Sequence, residues 1–403
     1  MTGVRARAGP ADDRPGAPVD EPRAKTPAPK VSDLDRRFMD AAIRIGRRHL
    51  GLTRPNPSVG AIVVRQGPDG PEVVGRGTTS RGGRPHAERN ALAEAGERAR
   101  GATLYVTLEP CSQHGKPTPG CSEAILEAGI ARVVTAQEDP DSRVAGRGHA
   151  MLRAAGVEVV VGVGAAEAER GLANHFTRMR RGRPRILLKL AVSADGMVGR
   201  RREGRVPITG EEARAFAQVM RSELDAVMVG IGTALLDDPS LTVRLPGMEA
   251  ASPTRIVIDS RARLPLASRL ARTAREVPVY LVATEAAPRA RVEALREAGV
   301  EVLVVPTAPD GHVDLVKALT TLSWKGVPSV LVEGGSELAA SLLAQDLVDD
   351  LAVFRSAVRV ETDGVPAPAA LARIETGADD RYLPVDRRRV GADRLTLYRR
   401  DGR

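Results

Sequence analysis

Apolar residues first recur at helical spacing in DLDRRFMDAAIRIGRRHL, where Leu34, Phe38, Ala41, Ala42 and Ile45 share a face, so a first helix is expected from Leu34. After the RPNPS turn, VGAIVV and EVVGRGTT read as strands, and the RQGPDG loop between them predicts a hairpin. The pattern then switches repeatedly. HAERNALAEAGERA, CSEAILEAG and GHAMLRAAG read as helices, and ATLYVTL, ARVVTAQ and VEVVVG as strands. Alternation of this kind predicts an α/β layer with a largely parallel sheet, closing near Arg180. RRGRPR, residues 180–185, reads as a short basic linker. Beyond it, ILLKLAVS, DAVMVG, TRIVID, VPVYLVA, VEVLVVP and PSVLVEGG form a second run of strands with helical segments between most of them. No internal repeat relates the second α/β domain to the first.

The segment before this pattern is rich in Pro, Ala, Arg and Asp and carries no periodicity, which predicts a disordered tail over residues 1–33. The expected organisation is that tail, a first domain over 34–180 and a second over 181–403. A chain of 403 residues normally divides into domains of roughly 100–200 residues, which agrees. No apolar run approaches the roughly 20 residues of a membrane span, and the N-terminus lacks a signal-peptide core. A cytoplasmic protein without a membrane partner is expected. The formal charge of +9 invites a nucleic-acid reading. The arginines, however, are spread along the whole chain, and one Trp, four Tyr and four Phe leave little to stack on bases. An Arg-rich composition explains the charge better than RNA binding does.

The two cysteines change the picture, because both lie just after a His-x-Glu. His86, Glu88, Cys111 and Cys121 follow the order of a zinc site with a resident carboxylate. One imidazole and two thiolates suit zinc better than magnesium or calcium, and three ligands leave a position for water. A disulfide is disfavoured by the absence of an export signal. Hydrolysis of an amidine-type C–NH2 bond needs an activated water and a proton carrier, the role open to Glu88. His86 and Glu88 are expected at a helix start and Cys121 at another, where the N-terminal charge would help hold both thiols deprotonated. H-x-E followed by P-C matches the zinc-deaminase signature, although nine residues separate the cysteines instead of two. His49, His114, His149, His175 and His312 have no such company, and only His114 lies close by.

In the second half, Gly334–Gly335 between a strand and a helix suits a dinucleotide phosphate. Thr209 and Glu212 in TGEEAR read as a capping box. Arg221 and Arg244 are either a bidentate grip on a phosphate or surface arginines.

PNPSVGAIVV, HAERNAL, YVTLEPCSQHGKPTPGC and EAGIARVV together resemble the deaminase half of the bifunctional riboflavin-biosynthesis deaminase/reductases. KLAVSADGMV, ITGEEARAFAQVMRSELDAVMVGIGTALLDDPSLTVRL, RIVIDS and VLVEGGSEL resemble the reductase half, so the resemblance covers about residues 34–355. It implies a cytidine-deaminase-like three-layer α/β/α domain followed by a dihydrofolate-reductase-like α/β domain. The implied substrate is a small phosphorylated pyrimidine, a diaminopyrimidinone bearing a ribosylamino 5′-phosphate. Its 2-amino group is replaced by oxygen in a zinc-dependent step, and its ribosyl group is then reduced to ribityl by NADPH.

By position in the family pattern, His86, Cys111 and Cys121 hold Zn2+, and Glu88, Lys189, Asp237 and Glu333 are catalytic. Asn56, Arg205, Arg221, Leu241, Arg244 and Glu333 meet substrate. The cofactor positions are Ala191, Thr233, Asp237, Ser260, Gly335, Ser336, Glu337, Leu338, Ala339, Ala340 and Ser341. On residue chemistry alone, Asn56 is as readily a plain turn residue. Related architectures suggest a homo-oligomer.

The chain departs from the pattern in three places. The intercysteine loop is one residue longer than C-S-x-H-G-(K/R)-x-P-P-C and has Gly120 for a second Pro, which shifts Lys116 and Thr118. Pro207 in RVPIT replaces the usual Trp, and no Pro-x-Leu-Gly-Gly follows VFRSAVRVETDG. A deaminase with a silent second domain and a nucleoside or tRNA deaminase remain as alternative expectations.

Overall fold

The protein is described here by a computed structural model covering residues 31–112, 120–201 and 206–401. Helix α1 (Asp33–Gly46) leads into the hairpin β1 (Gly60–Gly67) and β2 (Gly70–Thr78). Then come α2 (Ala87–Ala95), β3 (Thr103–Val106), α3 (Cys121–Glu127), β4 (Arg132–Thr135), α4 (Arg147–Ala154), β5 (Glu158–Val161) and α5 (Ala165–Arg181). These strands form one sheet in the order β2-β1-β3-β4-β5, antiparallel through β2, β1 and β3 and parallel from β3 to β5.

Gly60 faces α1 and Gly77 faces α2. A Cβ on either would stand 2.0 Å from the carbonyl oxygen of Ala42 or Ala87, respectively. The bare backbones let both helices settle directly on the hairpin, and α2 carries His86 and Glu88 with it.

The first helix begins one residue earlier than expected. Ser32 Oγ accepts the Asp35 N–H at 3.1 Å, and the Asp35 carboxylate accepts the Ser32 N–H at 2.8 Å. This reciprocal cap satisfies two N–H groups that a helix start leaves without partners, so residues 31–33 are ordered rather than part of a tail. Residues 1–30 lie outside the described residues. Asp35 also receives Arg132 at 2.6 Å and the Tyr105 hydroxyl at 2.9 Å, which ties α1 to the sheet.

The second half contains β6 (Arg185–Val192), β7 (Met197–Arg200), α6 (Glu211–Glu223), β8 (Ala226–Gly230), α7 (Ile231–Asp237), β9 (Thr254–Ile258) and α8 (Arg269–Arg272). It continues with β10 (Val279–Ala283), α9 (Arg289–Glu297), β11 (Glu301–Val304), α10 (Leu315–Trp324), β12 (Ser329–Glu333) and α11 (Ser336–Ala344). β13 (Asp350–Arg355), β14 (Gly364–Pro366), α12 (Ala369–Glu375), β15 (Tyr382–Val390) and β16 (Asp393–Arg400) complete it. Nine strands run in the order β11-β10-β9-β8-β12-β6-β13-β16-β15, and β14 pairs with β7. The sheet is parallel from β11 to β13 and ends in the antiparallel β16 and β15. Ile186, Leu188, Leu190 and Val192 alternate along β6 into the core beneath α10 and α11.

Two local expectations give way to tertiary contacts. RRGRPR is not a free linker: α5 runs to Arg181, and the buried Arg183 forks onto Asp349 at 2.6 and 2.9 Å, with Arg181 on the same carboxylate at 3.0 Å. The Thr209–Glu212 capping box does not form either. The N-cap of α6 is Gly210, whose N–H goes to Asp393 at 2.7 Å, while Glu212 packs against Gly391. A carboxylate from the far end of the chain has taken over the role assigned to the local pair.

Asp225, just before β8, is buried where the two halves meet, with its carboxylate accepting the Ser329 hydroxyl at 2.6 Å. Burial raises its carboxyl to about 6, opposed by that hydroxyl and by Arg54 and Arg178. An unfolded Asp titrates at about 3.9, so the folded state holds a proton here that the unfolded chain releases first. This group's contribution to stability is therefore present below pH 4 and falls as pH rises through the window up to about 6. Asp225→Asn is expected to gain in melting temperature relative to the parent protein between pH 4 and pH 7. A constant difference across that range would contradict the assignment.

Candidate active sites

His86 is the N-cap of α2, Glu88 sits in the same first turn, Cys111 follows β3, and Cys121 is the first residue of α3. Two helix starts and one strand end therefore converge. His86 Nδ1 is 3.4 Å from Cys121 Sγ and 3.7 Å from Cys111 Sγ, and all three ligand atoms lie within 4.8 Å of one another. A tetrahedral zinc at 2.0–2.1 Å from nitrogen and 2.3 Å from sulfur needs an N···S separation of about 3.6 Å, so the three donors fit it. Both cysteines are free thiols.

Hydrogen bonding with Cys121, against the effect of burial and aided by His86, lowers Cys111 to about 4. Cys121 is raised well above its ordinary value by its hydrogen bond with Cys111, by burial and by the facing Glu88. Side by side, two thiolates and a carboxylate repel one another, and a divalent cation is the partner that would let both thiols ionise. His86 Nε2 is buried without a hydrogen-bond partner among the described residues, which leaves Nδ1 as the atom aimed at the sulfurs.

Glu88 is buried beside this triad, and burial raises its carboxyl above the usual range. A cavity of about 280 Å³ opens over the group and is lined by Asn56, Glu88, His86, Cys111, Arg143 and His175 among others. Its size suits a pyrimidine with part of a sugar. Asn56 is thus in the cavity wall, with Nδ2 bonded to the Gly83 carbonyl at 2.9 Å. Of the expected residues, His114, Lys116, Thr118 and Arg205 lie outside the described residues.

Sequence reasoning passed over several groups around this cavity. His175, set aside as isolated, lines the wall and pairs with Asp139 at 3.0 Å. Glu109, also in the wall, accepts the N–H groups of Asp139, Gly146, Gly148 and His149 at 3.2, 2.9, 2.9 and 3.3 Å. That carboxylate holds the segment 139–149 against the residue before Pro110–Cys111. Glu109 and His149 also come together with Glu138, but the four backbone donors already satisfy Glu109. The one sequence signal was a Glu directly before P-C.

In the second half, Lys189 on β6 and Glu333 on β12 are register partners, so their side chains emerge next to each other. Arg221 reaches Glu333 from α6 with Nε–Oε1 at 2.5 Å and Nη2–Oε2 at 2.7 Å. Lys189 Nζ lies 5.6 Å from the centre of the Phe354 ring. Asp237 closes α7 and is exposed, as is Arg244, whose Nη1 donates to Ser240 at 2.8 Å.

Several assignments change here. Arg221 does not offer a bidentate fork to a phosphate, because Glu333 takes both edge donors and the Thr242 carbonyl takes Nη1 at 3.0 Å. Leu241 buries its side chain in the core and holds a left-handed φ of 54°, so only its backbone could face a substrate. Leu338 and Ala339 likewise point into the core. Ala340 and Ser341 lie beyond the first turn of α11, where N–H groups already have intrahelical acceptors.

Of the expected cofactor residues on this segment, the backbone of Gly335, Ser336 and Glu337 is what remains at the helix start. Gly334 and Gly335 take φ of 79° and 73° against Thr233, and a side chain on either would press on it. A bare backbone turn ahead of a helix start is the kind of cradle a dinucleotide phosphate needs. Ser336 donates to the Pro366 carbonyl at 2.7 Å, Ser260 Oγ accepts the Val313 N–H at 3.2 Å, and Ala191 is half-buried on β6 opposite Phe354. A larger cavity of about 790 Å³, between β13, β15 and β16, contains none of the expected residues.

Two family models match the sequence: the cytidine and deoxycytidylate deaminase zinc-binding region over residues 32–137, and the RibD C-terminal domain over residues 184–358. The chain is 39% identical over 324 residues to the riboflavin biosynthesis protein RibD of Aquifex aeolicus, covering 80% of this chain and 87% of that one. Among solved structures, RibD of Acinetobacter baumannii superposes with a TM-score of 0.78 at 33% identity, covering 91% of this chain and 99% of that chain. The Thermotoga maritima diaminohydroxyphosphoribosylaminopyrimidine deaminase/5-amino-6-(5-phosphoribosylamino)uracil reductase gives a TM-score of 0.76 at 30% identity, with the same coverage of 91% and 99%. The first matched segment contains His86, Cys111 and Cys121, and the second contains Lys189, Arg221 and Glu333.

Proposed function

Since the chain belongs to the RibD family of bifunctional deaminase/reductases of riboflavin biosynthesis, we propose that its two residue clusters divide the work as follows. His86, Cys111 and Cys121 hold zinc, Glu88 moves protons, and Asn56 orients the pyrimidine of a diaminopyrimidinone ribosylamino 5′-phosphate. Lys189, Glu333 and Asp237 serve the reduction of the sugar, and Thr233, Ser260 and the turn Gly335–Ser336–Glu337 hold NADPH. The observation that carries the reading is a buried carboxylate, Glu88, beside a His-Cys-Cys triad of zinc dimensions in the wall of a pyrimidine-sized cavity.

Bound zinc supplies a Lewis acid and a water of pKa about 7, and bound NADPH supplies a hydride. The rest falls to the chain. Glu88, whose carboxyl is raised above the usual range by burial, accepts one proton and delivers it to the ring nitrogen and then to the departing ammonia. In the second half, Lys189 holds the proton that must accompany hydride arrival at C1′. Arg221 fixes Glu333 beside it, and Arg244 is left as the guanidinium for the phosphate. No helix among the described residues is long and apolar enough to cross a membrane, and a cytoplasmic setting, where reduced nicotinamide nucleotide is at hand, completes the reading.

A coupled assay tests it, with ammonia release and NADPH oxidation followed separately on the phosphorylated diaminopyrimidinone. Chelator treatment is expected to remove one zinc per chain and abolish ammonia release, while NADPH oxidation on the preformed uracil intermediate persists. Ammonia without any NADPH oxidation would assign the second half a silent role, to which Pro207 would then point. Ammonia only from cytidine or adenosine would overturn the substrate.

A further inference from the structure

The turn that carries Asn56 touches both halves of the molecule. On one side Pro55, Asn56 and Pro57 line the cavity above His86 and Glu88. On the other, the Arg54 guanidinium reaches across to the second sheet, where it donates to the Thr254 hydroxyl at the start of β9 and to the Asp225 carbonyl at 3.5 Å. Asp225 and Thr254 are buried and joined, with the Thr254 N–H on the Asp225 carbonyl at 3.1 Å, so Arg54 grips a rigid edge.

The neighbouring residues leave this turn little freedom. Gly51 holds a φ of 74°, and a Cβ there would stand 2.8 Å from the Ser222 carbonyl oxygen at the end of α6. Arg178 on α5 donates to the Pro55 carbonyl at 3.2 Å. Thr53 closes the turn by donating its hydroxyl to the Asn56 carbonyl at 2.8 Å and accepting the Asn56 N–H on its own carbonyl at 3.0 Å. The Asn56 amide nitrogen is committed to Gly83, so the placement of the turn backbone decides how the rest of that amide meets the cavity.

We propose that Arg54 is a positioning residue for deamination: through Thr254 and Asp225 the reductase half sets the Asn56 turn, and with it the pyrimidine pocket. The inference rests on the reading of the His86–Glu88 cavity as the deaminase site. The chemistry stays with Glu88 and the triad, so the effect should fall on how substrate is held. A displacement of the turn of the order of 1 Å is enough to change binding without touching the reacting groups.

The test uses the full chain loaded with zinc. In Arg54→Ala the deaminase KM is expected to rise about tenfold with kcat changed less than about twofold, while zinc content and the kinetics of NADPH oxidation on the uracil intermediate stay as in the parent. Thr254→Val should produce the same split, and the double variant should be no worse than Arg54→Ala, because Arg54→Ala already removes the contact that Thr254→Val removes. Arg54→Lys, which keeps a donor, should recover most of the loss. An unchanged deaminase KM in Arg54→Ala would overturn the proposal. A parallel loss of both activities with a lowered melting temperature would also overturn it, by reducing Arg54 to an interface stabiliser. Failure of the underlying reading looks different: Glu88→Gln would then leave ammonia release intact.

Discussion

Glu88→Gln will reduce ammonia release by about 10²–10⁴-fold, the range that separates a positioned proton carrier from none. The substitution keeps the shape and burial of the side chain and removes only the capacity to accept and return a proton. Zinc should remain at one per chain, because Glu88 adds no ligand atom to the His86–Cys111–Cys121 group. Reduction of supplied uracil intermediate should continue at the parental rate, since Lys189, Arg221 and Glu333 belong to the second half. In the coupled assay both signals will disappear, the second through lack of its substrate. Retention of more than a tenth of the deaminase activity would remove Glu88 from the proton path. Loss of zinc in the same variant would instead assign it to the metal.

The second large effect is expected at Arg221. Its guanidinium and the Glu333 carboxylate are nearly buried, with side chains 11% and 13% exposed, and they meet through two hydrogen bonds. Burial alone would lower the arginine, yet Glu333 raises it, as expected where each charge depends on the other. Arg221→Ala strips both of these hydrogen bonds from the nearly buried Glu333 carboxylate, and the cost should be on the order of 3–5 kcal/mol in unfolding free energy. NADPH oxidation should fall at least a hundredfold, while ammonia release is retained at temperatures where the chain is folded. The double variant Arg221→Met/Glu333→Leu separates the two effects. It removes both charges, so most of the stability should return while reduction stays absent. If reduction returns as well, the pair is structural, and Lys189 works without it.

How far these sites could be read in advance follows from how local their determinants are. His-x-Glu and Pro-Cys lie in short segments, and the helix and strand periods on either side already place them at helix starts and a strand end. The same holds for Gly334–Gly335, where two successive glycines advertise the left-handed turn that the backbone adopts. Strand order was less accessible. β12 inserts between β8 and β6, and this makes Glu333 and Lys189 neighbours although 144 positions separate them in the chain. No window of sequence contains that pairing.

The misassignments share one cause. Thr209 and Glu212 had the spacing of a cap, and Asp393 took the position. Arg221 had the chemistry of a phosphate grip, and Glu333 occupied its fork. RRGRPR had the composition of a linker, and Asp349 drew it into a buried ion pair. A polar side chain indicates what it can bind, but which partner is within reach depends on the packing of distant segments. By itself the sequence determined the elements, the two α/β halves and the convergence of His86, Glu88, Cys111 and Cys121, because periodicity and donor chemistry are properties of short stretches. Only the tertiary structure decided the partners of Arg221 and Glu109, because a buried charge must be satisfied by whatever group folding brings within about 3 Å of it.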